Sequence, residues 1–229
     1  MNPAPGRASP TMLDPERYLR CLRALGAASP DASGFARLAA AYGEPARAYH
    51  SDRHIADCLA ELDRSRALAD RPAEVEAALW FHDAVYDPAS PGNERRSVEL
   101  ARSVLGRCGV SGEVIARVAG LILVTSHEVG PAGRDETLMV DIDLSILGQP
   151  PGRFEEYGRQ IRAEYAHVPE DAYREGRLRV LEGFASRPRI YRTAPFFERY
   201  EAGARANLAR EIGALASARS PADDPGSAE

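Results

Sequence analysis

Apolar residues recur at a helical spacing along most of this 229-residue chain. They return at positions i, i+3, i+4 and i+7, which places them on one face of an α-helix. Strand-like alternation never extends beyond a few residues. The pattern predicts an all-α fold with helices at about 15–26, 31–42, 45–69, 73–84, 93–108, 112–126, 137–148, 153–166, 170–187 and 195–217.

Proline, glycine and short polar residues mark the ends of these predicted helices. Prolines stand at four predicted starts, where the missing N–H is not needed: Pro15, Pro45, Pro72 and Pro195. Asp31 and Asn93 are predicted N-caps, whereas Gly43 and Gly109 are predicted to end helices.

The two ends of the chain differ in composition from the middle. Residues 1–10 hold three prolines, and residues 218–229 are rich in proline, serine and acidic residues. Such segments bury too little apolar surface to fold, so we expect disordered tails at 1–10 and 218–229. Neither a repeat nor a linker divides the middle, which predicts a single all-α domain over 11–217.

Composition and charge narrow the class of protein. A content of 44% hydrophobic and 28% charged residues is ordinary for a globular protein, and the net charge of −5 argues against nucleic-acid or anionic-membrane partners. The longest apolar run, 118–124, is too short to span a bilayer, and residues 1–10 lack the apolar core of a signal peptide. Cys21, Cys58 and Cys108 lack metal-binding spacing and predict buried, reduced thiols. We therefore expect a cytoplasmic protein, with no prediction of its oligomeric state.

The candidate chemistry lies in four short segments that together contain four of the five histidines. Their key residues are His50 and His54, the pair His82-Asp83, His127, and the acids Asp141 and Asp143. Mixed imidazole and carboxylate ligands suit divalent ions such as Mn, Fe, Co, Ni or Zn. The sequence therefore predicts a metal site.

Spacing alone leaves the roles of these residues open. His50 and His54 share one face of the predicted helix 45–69, so both bind metal, or one donates protons beside it, or both are exposed. His82-Asp83 ends the apolar run 75–81, where a buried carboxylate needs a cation. The alternative there is an Asp83–Arg ion pair, with His82 bonded to a backbone carbonyl.

Periodicity does not choose between Asp141 and Asp143. The two acids lie about 200° apart on the predicted helix 137–148, so they cannot both face one point.

The order His54…His82-Asp83…Asp143 resembles the H…HD…D signature of the HD superfamily of metal-dependent phosphohydrolases. The chain is also similar to a bacterial subfamily of predicted HD hydrolases. The matching blocks lie at 49–55, 80–88, 93–94, 141–144, 161–165, 176–177, 190–191 and 204–208.

This resemblance implies an HD-domain helical bundle in which His54, His82, Asp83 and Asp143 are the metal ligands and Asp141 supports them. It implies hydrolysis of a phosphate ester, on a nucleotide or nucleotide-like small molecule. The cofactor would be Mn, Co, Ni, Fe or Zn, with Mg as a further option. His50 would act as the general acid, a task suited to imidazole near neutral pH.

Several further residues have functional interpretations beside structural ones. Glu94 is either a general base or a favourable first-turn acid, and Arg95 or Arg96 could hold phosphate. Arg177 is a candidate substrate contact, with an Arg–Glu ion pair as the alternative. His127 is a second-metal ligand, a substrate contact or a partner of its helix C-terminus. The competing functions are a two-iron HD-type oxygenase and a non-catalytic regulator that binds nucleotide or metal.

Overall fold

The computed structural model describes residues 11–127 and 130–217, and every regular element among them is helical, which confirms the predicted all-α class. The predicted tails at 1–10 and 218–229 lie outside these residues. The chain forms two compact units, Met1–Leu144 and Ser145–Glu229. Within the described ranges, no helix combines the length and apolar character needed to cross a membrane.

The first unit carries seven α-helices in its described part. They are α1 (Pro15–Ala24), α2 (Ser33–Tyr42), α3 (Asp52–Ser65), α4 (Pro72–Phe81), α5 (Asn93–Arg107), α6 (Gly112–Leu123) and α7 (Arg134–Asp143). Short 3-10 turns follow α3, α6 and α7, at Arg66–Leu68, Val124–Ser126 and Leu144–Gly148.

Helix α4 lies at the centre of this unit. Every residue from 74 to 81 is buried, and the helix packs against α1, α3, α5, α6 and α7. Its sequence is apolar all round because no side of it faces water. Two acids on this helix are buried as well, and both are paired: Glu74 with Arg117 at 2.7 Å, and Glu76 with Arg17 at 2.9 Å. Packing in the core therefore fixes the position of the C-terminal end of α4.

Most helix ends follow the predicted signals. Pro15 and Pro72 open α1 and α4, and Gly43 ends α2. Gly109 takes a left-handed conformation (φ 76°) just beyond α5, the usual place for glycine at a helix end.

Three predicted starts are wrong. Asp31 is not the N-cap of α2; that position belongs to Ala32, and the Asp31 carboxylate accepts a hydrogen bond from the backbone N–H of Ser33. The helix expected at 45–69 begins only at Asp52, because residues 44–51, including Pro45, form turns. Asn93 is not the N-cap of α5; that position belongs to Gly92, whose φ is 77°. The amide of Asn93 instead bonds the backbone N–H and carbonyl of Asp87 and so closes the 87–93 loop.

The second unit contains α8 (Pro151–Glu164), α9 (Glu170–Ala185) and α10 (Ala194–Ser217) in its described part. Gly148 lies so close to α10 that an added Cβ would come within 2.5 Å of the Tyr200 Cβ. Arg205 pairs with Glu201 at 2.8 Å and donates to the carbonyls of Ala185 and Arg187, which fixes the connection between α9 and α10.

Candidate metal centre

Three chain segments of the first unit bring the predicted ligands together. His54 lies in the first turn of α3, His82 and Asp83 follow the last residue of α4, and Asp143 ends α7. The side chains of His54 and His82 are almost fully buried, whereas 18% of Asp83 and 15% of Asp143 remain exposed. The buried end of α4 thus opens toward solvent at the two carboxylates.

The group formed by His54, His82 and Asp143 could hold a metal ion. The two Nε2 atoms are 3.2 Å apart, and Asp143 Oδ1 lies 3.4 Å from each of them. Two ligands at about 2.0–2.1 Å from one ion are about 3.3 Å apart when they subtend roughly 105°. The spacing and the chemistry of the three donors therefore fit a single divalent ion.

Asp83 adds a second carboxylate beside the histidine pair. Its Oδ2 lies 3.1 Å from His82 Nε2 and 3.4 Å from His54 Nε2. An arginine does approach this residue, but Arg47 donates to the Asp83 backbone carbonyl at 2.6 Å. Within the described residues, the groups paired with the Asp83 carboxylate are the two imidazoles, so the arginine-pair alternative is not what the structure shows.

Neighbouring groups fix both imidazole rings. His82 Nδ1 lies 3.1 Å from the carbonyl oxygen of Leu79, which requires the proton on Nδ1 and leaves the lone pair on Nε2. The Cys58 sulfur is almost equally far from both ring nitrogens of His54, at 3.7 and 3.8 Å. Tyr49 packs near the same ring, with centroids 4.8 Å apart.

Opposite charges within the group shift the pKa values of its histidines and carboxylates in opposite directions. Burial opposes the charged form of His82, yet the carboxylates of Asp83 and Asp143 hold the pKa of His82 well above its usual value. Burial likewise opposes ionisation of Asp143, but the rings of His127, His54 and His82 hold its pKa well below the usual range.

The structure separates the positions of Asp141 and Asp143. Asp143 belongs to the group of donor atoms, whereas Asp141 is fully buried inside α7 and is not part of it. This arrangement agrees with the ligand position that the resemblance implies and that periodicity alone left open.

His50 lies near the site, but in a turn that the sequence does not predict. It lies in the turn before α3, so the expected shared helical face with His54 is wrong. The rings are nevertheless close, with centroids 6.1 Å apart, and the His50 ring stacks on Tyr86 at 4.0 Å. His50 therefore lies beside the donor group and outside it.

His127 also faces the site. It follows the 3-10 turn Val124–Ser126 at the end of α6, and its Nε2 lies 3.4 Å from Oδ2 of Asp143. Its ring therefore meets the carboxylate oxygen that does not face His54 and His82.

The remaining predicted residues are not members of this donor group. Glu94 and Arg95 line an open cavity of about 850 Å³ between the start of α5, the end of α6 and the start of α7; Ser126, next to His127, lines it too. Arg177, in the second unit, is buried and binds Glu211 at 2.8 Å and the Tyr157 hydroxyl at 3.1 Å. These bonds occupy the donors that a phosphate would need, and they agree with the ion-pair alternative.

Arg47 is the structural residue that sequence reasoning missed. Its guanidinium is buried, donates to the carbonyls of Asp83 and Ala84, and lies within 6 Å of the rings of Tyr42 and Tyr86. The turn that contains His50 is thereby attached to the turn that contains Asp83. No local pattern reveals this role, because both carbonyls are distant in sequence.

Comparison of the chain with protein-family models, with curated proteins and with solved structures found no match.

Proposed function

We propose that this protein is a metal-dependent phosphohydrolase of the HD type, acting on a phosphate ester of a nucleotide or nucleotide-like small molecule. The observation that carries the proposal is the convergence of His54 Nε2, His82 Nε2 and Asp143 Oδ1 within 3.4 Å, in the order of ligands that the HD signature requires. The resemblance supplies the reaction class, and the geometry supports the metal.

The facing imidazole nitrogens favour a divalent cation, and not ring protons, as the counter-charge in this group, because protons on two Nε2 atoms 3.2 Å apart would repel each other. With both imidazoles neutral, Asp83 and Asp143 would leave two negative charges in a largely buried place, which is costly without a counter-ion. One divalent ion balances both, and it also accounts for two imidazole nitrogens that face each other. Imidazole ligands favour Mn, Fe, Co, Ni or Zn over Mg, which prefers oxygen.

The residues of the chain would share the work in the following way. His54, His82 and Asp143 hold the ion, and Asp83 is the fourth ligand. When bound, the metal supplies Lewis-acid activation of water and of the phosphoryl group. His50 stands outside the ligand set and donates a proton to the leaving oxygen.

The cavity beside Arg95 is the proposed place for the rest of the substrate. Its volume of about 850 Å³ falls in the range of small-molecule sites. Arg96 is tied to Ser90 and Asn93, whereas Arg95 forms no hydrogen bond or ion pair with the described residues. Arg95 is therefore available to an anionic group. Glu94, its neighbour in sequence, supplies a carboxylate to the same cavity.

The decisive experiment combines metal analysis with a hydrolysis screen. The purified protein should retain close to one equivalent of a divalent transition metal and should hydrolyse at least one nucleotide monophosphate when Mn, Co, Ni, Zn or Mg is added. His54→Ala should lose both properties. Metal retention without hydrolysis of any phosphate ester would contradict the reaction class and favour a regulatory role.

The proposed acid has its own test. His50→Ala should keep its metal but lower kcat on a nucleotide roughly 10²–10⁴-fold, the usual contribution of general acid–base catalysis. The loss should be smaller with p-nitrophenyl phosphate, whose leaving group scarcely needs a proton. His167→Ala is the matched control, because that histidine is exposed in the second unit. Undiminished activity of His50→Ala would remove His50 from the chemistry.

A further inference from the structure

The two carboxylate oxygens of Asp143 have different partners. Oδ1 lies 3.4 Å from both His54 Nε2 and His82 Nε2, whereas Oδ2 lies 3.4 Å from His127 Nε2. The carboxylate is therefore held from both sides. The group of mutually close donor atoms contains His54, His82 and Asp143, and His127 is not a member of it.

The backbone of His127 is unusual in a way that supports this contact. Its φ is 58° and its ψ is 9°, and it is the only residue other than glycine with a positive φ in the described ranges. Glycine or asparagine would adopt this left-handed conformation at lower cost. The conformation ends the 3-10 turn Val124–Ser126 at the point where the His127 ring reaches Asp143.

We propose that His127 is a positioning residue, which binds Oδ2 of Asp143 and so presents Oδ1 alone to the metal. This inference rests on the proposed metal site. Without the histidine, the carboxylate could turn about its own side-chain bond and offer either oxygen, or both. Outer partners that fix a ligand in this way typically account for a 10–100-fold difference in metal affinity.

The left-handed backbone makes an informative variant possible. His127→Gly removes the ring and its contact with Asp143 but also relieves the backbone, so these opposing effects should leave the unfolding temperature of the metal-free protein close to that of wild type. The same variant should bind Co²⁺ about 10–100-fold more weakly in a competition titration. A merely structural histidine would shift stability without this selective loss of affinity.

Two further variants separate the effect of side-chain length from the effect of backbone conformation. His127→Asn suits the left-handed conformation but is too short to reach Oδ2, so it should bind Co²⁺ as weakly as His127→Gly. His127→Gln carries an amide N–H that can reach Oδ2, and it should recover part of the affinity. Circular dichroism would verify that each variant is folded.

The outcomes distinguish this inference from the function on which it rests. A wild-type protein that binds no Co²⁺, Mn²⁺ or Zn²⁺ would overturn the proposed metal site. Wild-type affinity in both His127→Gly and His127→Asn would overturn only the role of His127. A fall in stoichiometry from two ions to one, with unchanged affinity of the remaining ion, would also overturn it, because His127 would then be a direct ligand.

Discussion

Arg47 is expected to hold the turns around the site, and its removal should destabilise the first unit. The guanidinium donates to the buried carbonyl of Ala84 at 3.2 Å and to that of Asp83 at 2.6 Å. Loss of a donor to a buried acceptor costs about 1–3 kcal/mol for each group. The contacts to His50 O at 3.5 Å and to the half-exposed Glu44 add little. We expect Arg47→Ala to lower the free energy of unfolding by about 3 kcal/mol.

Urea unfolding followed by tryptophan fluorescence measures this effect in the right part of the molecule. Trp80 is the single tryptophan of the chain and is fully buried in the core of the first unit. A chelator keeps the measurement free of metal binding. Arg47→Lys retains the charge but not the fork of donors, so its loss should be intermediate.

The control for Arg47 is an arginine whose ion pair is exposed. Arg20 pairs with Asp14 at 3.3 Å, and both side chains are more than half exposed. Arg20→Ala should change the free energy of unfolding by less than about 1 kcal/mol. Equal effects of Arg47→Ala and Arg20→Ala would refute the reasoning.

Three other sets of substitutions test different parts of the structure. Asp143→Ala should abolish metal retention, whereas Asp141→Ala should mainly lower the midpoint of the Trp80 unfolding curve; equal metal loss from both would mean that the assigned roles are wrong. Glu76→Ala removes a carboxylate that is only 7% exposed and that lies between two arginines. In a urea titration the change should lower the free energy of unfolding by about 2 kcal/mol or more, which is less than for a fully buried pair because the arginines reach solvent. Gly148→Ala should lower the thermal stability by about 1–3 kcal/mol through a clash with α10, as measured by circular dichroism, while Gly152→Ala, with open space at its Cβ, should not.

The helices were predictable where the local signals and the packing agree. Pro72 and the apolar run that follows it predict both the start of α4 and its burial, because a helix without a polar face must be covered on all sides. The left-handed Gly109 predicts the end of α5 for an equally local reason.

The segment before α3 was not predictable in this way. Residues 46–49 contain good helix formers, but the turn is held by Arg47, whose partners lie more than 30 residues away. Tertiary contacts therefore override the local preference for helix. His50 was expected beside His54 for a helical reason that does not hold, although their rings do lie close together.

The donor residues of the site were more predictable than the contacts that hold them in position. The resemblance to the HD signature pointed to His54, His82 and Asp143, and the structure brings these three together. The contact of His127 with the second oxygen of Asp143 depends on a left-handed residue at the end of a 3-10 turn, and a sequence pattern does not specify such a conformation.

The separation of the donors along the chain has a consequence for the stability of the folded protein in a cell. His54 and His82 lie 28 residues apart, and Asp143 comes from a third segment, so the unfolded chain cannot present the three together. Under the proposed function, the metal would bind the native state almost exclusively, and a free concentration of 100 times Kd would stabilise it by about 2.7 kcal/mol. The fraction of the first unit that is folded, and hence its resistance to proteolysis, would then depend on how much metal the surroundings supply.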